Sequence, residues 1–149
     1  MQKVRDIEMA SQVAYLSPRI EKILKAIWPG AVTVVLNKKE ILSDILTANQ
    51  KTIGLRIPDH QISQSLANEL DFPLTATSAN LSGQPASGQI KEVIEQFKGS
   101  LAQPDLVLDA GDLSPSQPST VIDLKDSQLR ILRVGPVTKE ELLKMLEIK

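Results

Sequence analysis

Small polar side chains gather at Ser78-Ala79-Asn80, directly behind the short apolar run Leu74–Thr77 and just ahead of Gly83. Hydroxyl and amide groups in that place can bond a phosphate or a carboxylate, and exposed backbone N–H groups add anion-binding dipoles. Ligands of open α/β sheets sit beyond the carboxyl ends of strands. Ser, Asn and Gly are also the usual residues of turns and caps, which is the competing reading. Arg56 poses the same question in Thr52-Ile53-Gly54-Leu55-Arg56-Ile57-Pro58. A guanidinium ending an apolar strand offers a planar fork for carboxylate or phosphate. Its alternative is a surface ion pair with Asp59 or Glu69. Ser119 and Thr120 bring hydroxyls, and Arg133 a second cation, to other strand ends; a plain strand entry and a solvated charge are the alternatives. His60 could transfer protons near neutral pH, yet no orienting partner is evident, and a histidine at a helix start is usually just solvated. Trp28-Pro29-Gly30 reads as a core anchor and a turn. No Walker A loop, G-x-G-x-x-G, H-E-x-x-H or G-x-S-x-G is present.

Alternating helical and extended patterns must position these groups. Ile20, Ile23, Leu24 and Ile27 recur at helical spacing, with Ser17 as N-cap, Pro18 in the first helical position and Pro29-Gly30 as the stop. Ala31–Leu36 is apolar and β-branched, as a buried strand should be. Residues 37–50 are ambiguous, with one helical turn or two around Ile41–Leu46. Thr52–Ile57 forms a second strand. Asp59 is placed to cap a helix reaching Leu70, with Ile62, Leu66 and Leu70 inward. Leu74–Thr77 is a third strand, Ser87–Phe97 a helix and Leu106–Asp109 a strand. Residues 113–118 form an exposed loop. Ser119–Leu124 and Leu129–Leu132 make a strand pair across residues 125–128. Thr138 and Glu141 fit a capping box before Leu142, Leu143 and Leu146. One α/β or α+β domain accounts for this alternation.

Composition removes whole classes of function. The chain has 149 residues, enough to bury a core without staples. Seventeen Lys and Arg against 18 Asp and Glu rule out a globally basic nucleic-acid coat. With no cysteine and a single histidine, disulfides, thiol catalysis and Cys- or His-rich metal sites are excluded. No apolar run approaches membrane-spanning length and no signal core is evident, so the cytoplasm is the expected location. Aromatic residues are 3%, too sparse for a base-stacking platform.

In order, Trp28–Leu36, Thr52–Pro58, Thr77–Gly83, Pro118–Asp123 and Ile131–Gly135 resemble the Sua5/YciO/YrdC family, best known for threonylcarbamoyl-AMP synthases. The resemblance runs from about Ile7 to Leu146, and the serine-x-asparagine loop is its most specific part. It implies a YrdC-like single domain over residues 1–149, with a twisted mixed sheet and flanking helices. It implies a nucleotidyltransferase that joins L-threonine, bicarbonate and ATP into threonylcarbamoyl-adenylate and pyrophosphate. That product serves tRNA modification at adenosine 37. By motif, Arg56 would hold the threonine carboxylate, with Ser78 and Ser119 lining that site. Thr52, Asn80 and Arg133 would contact ATP, helped by backbone at Ala76. ATP would arrive with Mg2+; neither a protein-ligated metal nor a catalytic residue is assigned. Further partners implied are tRNA or double-stranded RNA and the tRNA threonylcarbamoyl-transfer proteins, with no membrane.

The family pattern also has, upstream, a proline-threonine-aspartate-threonine-x-tyrosine-glycine strand and loop and a phosphate-neutralising lysine-x-arginine pair. The resemblance places Met1 just after both, so the chain is expected to be the downstream part of a larger domain. Charge-assisted bonds are worth roughly 1.5–3 kcal/mol each, so losing these groups should weaken catalysis strongly. It should also expose sheet edges open to self-association. The alternative expectation is a non-catalytic module that binds nucleotide or double-stranded RNA. A carbamoyl-transfer paralogue ranks last.

Overall fold

The computed structural model describes residues 1–126 and 128–147; Ser127, inside the expected turn at 125–128, lies outside them. Helix starts follow local chemistry closely. Helix α1 (Ile7–Val13) begins where the Asp6 carboxylate accepts from the Met9 amide at 2.7 Å. Helix α2 (Pro18–Ile27) begins where Ser17 Oγ accepts from the Ile20 amide at 3.3 Å, with proline in its first turn. It ends at Trp28, whose indole N–H donates to the Val32 carbonyl at 2.8 Å, so the buried tryptophan is the anchor its sequence suggested. Helix α5 (Lys139–Met145) has the full capping box of Thr138 and Glu141.

Residues 1–76 and 117–149 make one compact unit, built on a mixed sheet. Its strands are β1 (Gln2–Lys3), β2 (Val32–Asn37), β3 (Thr52–Arg56), β4 (Leu74–Thr75), β5 (Thr120–Asp123) and β6 (Arg130–Arg133). Their order is β4-β1-β3-β2-β5-β6, which leaves β4 and β6 at the edges. Strand pairs β1/β3 and β2/β5 are parallel; the other three are antiparallel.

Alternation along β3 sets the use of the two faces. Ile53 and Leu55 are buried, whereas Thr52, Gly54 and Arg56 are only partly covered. Register puts Leu55 opposite Val34, and Arg56 opposite Lys3. Val34, Leu36, Leu55, Ile122 and Leu124 join Met9, Leu24 and Leu142, from α1, α2 and α5, in one core. One face is thus apolar under helices, and the Thr52–Gly54–Arg56 row belongs to the other.

Several expectations are corrected. Asp59 does not cap helix α3 (Gln61–Asn68); His60 does, its side chain accepting from the Ser63 amide. Ile62 and Leu66, expected inward, are 40% and 42% exposed, and Ala67 is the buried residue. The ambiguous 37–50 segment contains a single 3-10 turn, Asp44–Thr47. Strand β1 and helix α1 had no counterpart among the expected elements.

Residues 77–116 form the second unit. It holds helix α4 (Ile90–Phe97), shorter at its start than expected, and otherwise loops. The strand expected at Leu106–Asp109 is not formed. Its Leu106, Val107 and Leu108 are 77%, 45% and 56% exposed. A strand needs a ladder partner, and β-propensity measures packing more than backbone preference.

Candidate functional site

One end of the sheet collects the polar groups singled out in the sequence. Arg56 closes β3, and its Nε donates to the Gly30 carbonyl at 2.7 Å. Gly30 returns a bond, its amide donating to the Ile57 carbonyl at 3.0 Å. The next residue, Ala31, accepts from the Thr120 amide at 3.0 Å, which ties this corner to the start of β5. Ser119 stands there, buried, its Oγ 2.7 Å from Thr33 Oγ1. Arg133, the last residue of β6, donates from Nε and Nη2 to the Ser119 carbonyl at 3.1 and 2.8 Å. Three sites of the sequence reading, Arg56, Ser119 and Arg133, are therefore linked through short backbone steps.

Each arginine keeps donors in reserve. A guanidinium has five N–H groups. Arg56 commits Nε and so fixes its plane, which leaves its terminal nitrogens for an anion. The ion pair with Asp59 or Glu69 is not formed among the described residues. Burial lowers the Arg56 pKa from its ordinary value, and the Asp59 charge works against that shift. Lys3, its register partner on β1, is lowered too, first by burial and then by the Arg56 charge. Two cations side by side in partial burial call for a counter-anion.

Glycine is required where this corner is tightest. A Cβ at Gly135 would strike the Pro118 carbonyl oxygen and lie 2.6 Å from the Thr120 nitrogen. The Gly135 amide donates to Thr120 Oγ1 at 2.9 Å, while that hydroxyl donates to the Val137 carbonyl. Thr120, expected as a possible ligand hydroxyl, is thus fully engaged in structure.

The remaining expected residues stand elsewhere. Thr52 pairs with Asn37 at the opposite end of β3. Four residues of strand put it about 13 Å from Arg56, on the same face. The Ala76 amide donates to the Met1 carbonyl at 2.9 Å, so of its backbone groups only the carbonyl is left for a ligand. In the 77–116 unit, Ser78 is exposed. Asn80 Nδ2 donates to the Leu81 and Gln84 carbonyls at 2.9 and 2.8 Å, around Gly83 at φ +84°. Those two bonds fix the amide orientation and leave Asn80 Oδ1 buried without a partner among the described residues. An orphaned acceptor costs about 1–3 kcal/mol, which a donating ligand would relieve.

Sequence reasoning missed Thr33 and Lys3. Thr33 sits inside an apolar run, and only strand alternation could have set it apart. Lys3 lies on a two-residue strand that carries no periodic signal. Lys3 and Arg5 have lysine-x-arginine spacing, but Lys3 Nζ donates to Ser63 Oγ at 3.1 Å and Arg5 Nε to Asp6 at 2.9 Å. Ser63 Oγ also lies 3.4 Å from His60 Nδ1. Among the described residues no three His, Cys, Asp or Glu side chains come together as metal ligands, and no helix is long and apolar enough to cross a membrane.

A family model described as Sua5_yciO_yrdC, telomere recombination, matches residues 2–135. The chain is 33% identical over 141 residues to the threonylcarbamoyl-AMP synthase of Bacillus subtilis, covering 93% of this chain and 40% of that protein. It is 38% identical over 122 residues to the human threonylcarbamoyl-AMP synthase, covering 77% and 42%. Among solved structures, Pyrococcus abyssi Sua5 complexed with L-threonine superposes with a TM-score of 0.85 at 32% identity, covering 97% of this chain and 42% of that one. The chain spans about two-fifths of the length of these relatives.

Proposed function

We propose, from the premise that this chain belongs to the Sua5/YciO/YrdC family, that it carries the threonine and nucleotide sites of an L-threonylcarbamoyladenylate synthase. The observation that carries this reading is the linked corner of Arg56, Ser119 and Arg133. Two forked cations and a buried hydroxyl at one sheet end suit an amino acid's carboxylate beside a nucleotide's phosphates. A relative of similar fold is described in complex with L-threonine, which supports the same reading.

In this reading Arg56 receives the threonine carboxylate on its uncommitted terminal nitrogens, with Ser119 lining the site. The threonine amine nitrogen bonds to the bicarbonate carbon, a carbon–oxygen bond of bicarbonate breaks, and that oxygen leaves as water with a proton from the amine, giving a carbamate. A carbamate oxygen then attacks the α-phosphorus of ATP, the bond to the β-phosphate oxygen breaks and pyrophosphate leaves. Arg133 holds phosphate charge. Thr52 and Ala76 would complete the nucleotide contacts. Mg2+ enters with the triphosphate, whose oxygens hold it, and no residue of this chain is assigned to it. Holding three reactants in one geometry is where most of the rate would come from. The product would feed tRNA threonylcarbamoylation through the tRNA-transfer proteins.

The test is pyrophosphate release that requires threonine and bicarbonate together, alongside calorimetric titration of L-threonine. Arg56→Ala should abolish threonine binding, and Arg133→Ala should weaken ATP about tenfold or more. Nucleotide binding with no pyrophosphate release under any combination of substrates would sink the synthase reading.

A further inference from the structure

We propose that a second site on the sheet unit, the groove beside Tyr15, binds a nucleoside phosphate. It does not rest on the corner of Arg56, Ser119 and Arg133 that carries the synthase reading, because it opens at the other end of the sheet. Asn37 and Asp123, the last residues of parallel β2 and β5, mark that end, whereas Ser119 and Arg133 mark the first. Crevices beyond the carboxyl ends of such strands are where open α/β sheets take ligands.

The groove has a volume of about 490 Å³, within the range of small-molecule sites, and its polar lining is Tyr15, Ser17, Arg19, Asn37, Lys125 and Asp126. Its walls are tied in place. The Tyr15 amide donates to the Asn37 carbonyl at 3.0 Å, the Lys39 amide to the Val13 carbonyl at 2.8 Å, and Asn37 Nδ2 to the Lys125 carbonyl at 3.2 Å. The site therefore needs little reorganisation to bind.

Its charges do not cancel. Lys125 pairs with Asp123 at 3.4 Å, and Asp126 with Arg130 at 3.9 Å. Arg19 and Lys39 have no carboxylate within 4.0 Å among the described residues. The Tyr15 ring is 56% exposed; Lys39 Nζ lies 5.8 Å from its centroid, and Arg19 lines the same groove. An exposed tyrosine with two uncompensated cations and a carboxamide selects for a ligand with a planar ring and a phosphate. The ring stacks on Tyr15, Arg19 and Lys39 take the phosphate, and the Asn37 amide meets the base edge. A free mononucleotide and a residue of single-stranded RNA share that chemistry.

The experiment is an amide-resolved NMR titration of the protein with AMP, with a single-stranded RNA hexamer and with inorganic phosphate. AMP or the hexamer should shift Tyr15, Asn37 and Lys125 with saturation. Tyr15→Phe should preserve that affinity, while Tyr15→Ala and Arg19→Glu each weaken it about tenfold. A hexamer that binds much tighter than AMP marks RNA as the source; equal affinity marks the free nucleotide. No saturable shift at these residues with either ligand, up to about 10 mM, overturns the proposal. So do identical shifts with inorganic phosphate alone, which would remove the aromatic part. Shifts at Ser119 and Arg133 report the synthase site separately, so failure of one reading is not failure of the other.

Discussion

Ala31–Leu36 and Leu106–Asp109 are both short, mainly aliphatic runs, and both read as strands. The first lies between β3 and β5, with Val32, Val34 and Leu36 all but inaccessible. The second pairs with nothing among the described residues, and its three aliphatic side chains are largely exposed. The contrast extends to the units that hold them. Residues 1–76 and 117–149 share one core, whereas no apolar side chain of residues 77–116 is buried. The 77–116 unit takes its local shape from polar contacts instead, such as Asn80 on the Leu81 and Gln84 carbonyls and Gln96 on the Pro85 carbonyl. Apolar sequence makes a strand only where a neighbour supplies both ladder and cover.

Substitutions can break or sharpen that comparison. The largest effect is expected in the shared core: Ile122→Ala should cost about 2–5 kcal/mol by chemical denaturation, through lost transfer energy and a cavity. Gly135→Ala should come next, at about 1–3 kcal/mol, because the added carbon meets backbone rather than a side chain that can turn away. It should also displace Ser119 from Arg133, which threonine titration would detect as weaker binding.

Asp6→Ala should cost about 1 kcal/mol through the lost cap of α1. The same carboxylate gives a pH test. The Met9 amide holds Asp6 below its ordinary value in the folded chain, with the Arg5 pair adding to that. Between the two values the unfolded chain binds more protons, so this stabilisation is complete above the ordinary carboxylate value of about 4 and is lost as pH falls through the lower folded one. Asp6→Asn, which still caps, should flatten that part of the stability profile and leave neutral-pH stability nearly unchanged. The smallest effect is expected outside the core: Leu108→Ala should shift stability by no more than about 0.5 kcal/mol. A cost near that of Ile122→Ala would show that Leu108 is covered in solution and would erase the contrast.

Much of the sheet unit was legible in the residues themselves. Ser17-Pro18, Thr138 with Glu141, and the β-branched run at 32–36 act within a few positions of chain, so sequence alone could place α2, α5 and β2. Arg56, Ser119 and Arg133 were candidates as charged and hydroxyl groups at the ends of apolar strands, but a strand entry or a solvated charge explains each one singly, and it was the ordered motifs of the family that gave them roles. Strand β1 was not legible, since two residues carry no period. The His60 cap was not legible either, because Asp59 beside it is the better capping type by preference. The inward placement of Ile62 and Leu66 failed because helical spacing gives a face but not what the face meets.

Sequence by itself determined which groups are available: hydroxyls, a carboxamide and two guanidiniums on strand ends and a loop, caps in the right register, and no thiol. It also determined the family, because five motifs in a fixed order are a property of the chain and need no coordinates. Only the tertiary structure decided that Arg56 is steered by the Gly30 carbonyl, that Ser119 lies against both Thr33 and Arg133, and that Lys3 stands beside Arg56. It also decided that Tyr15 lines a groove with Arg19 and has Lys39 near its ring. Those relations join residues far apart in sequence. They depend on strand order and register, which long-range packing fixes and local preference cannot.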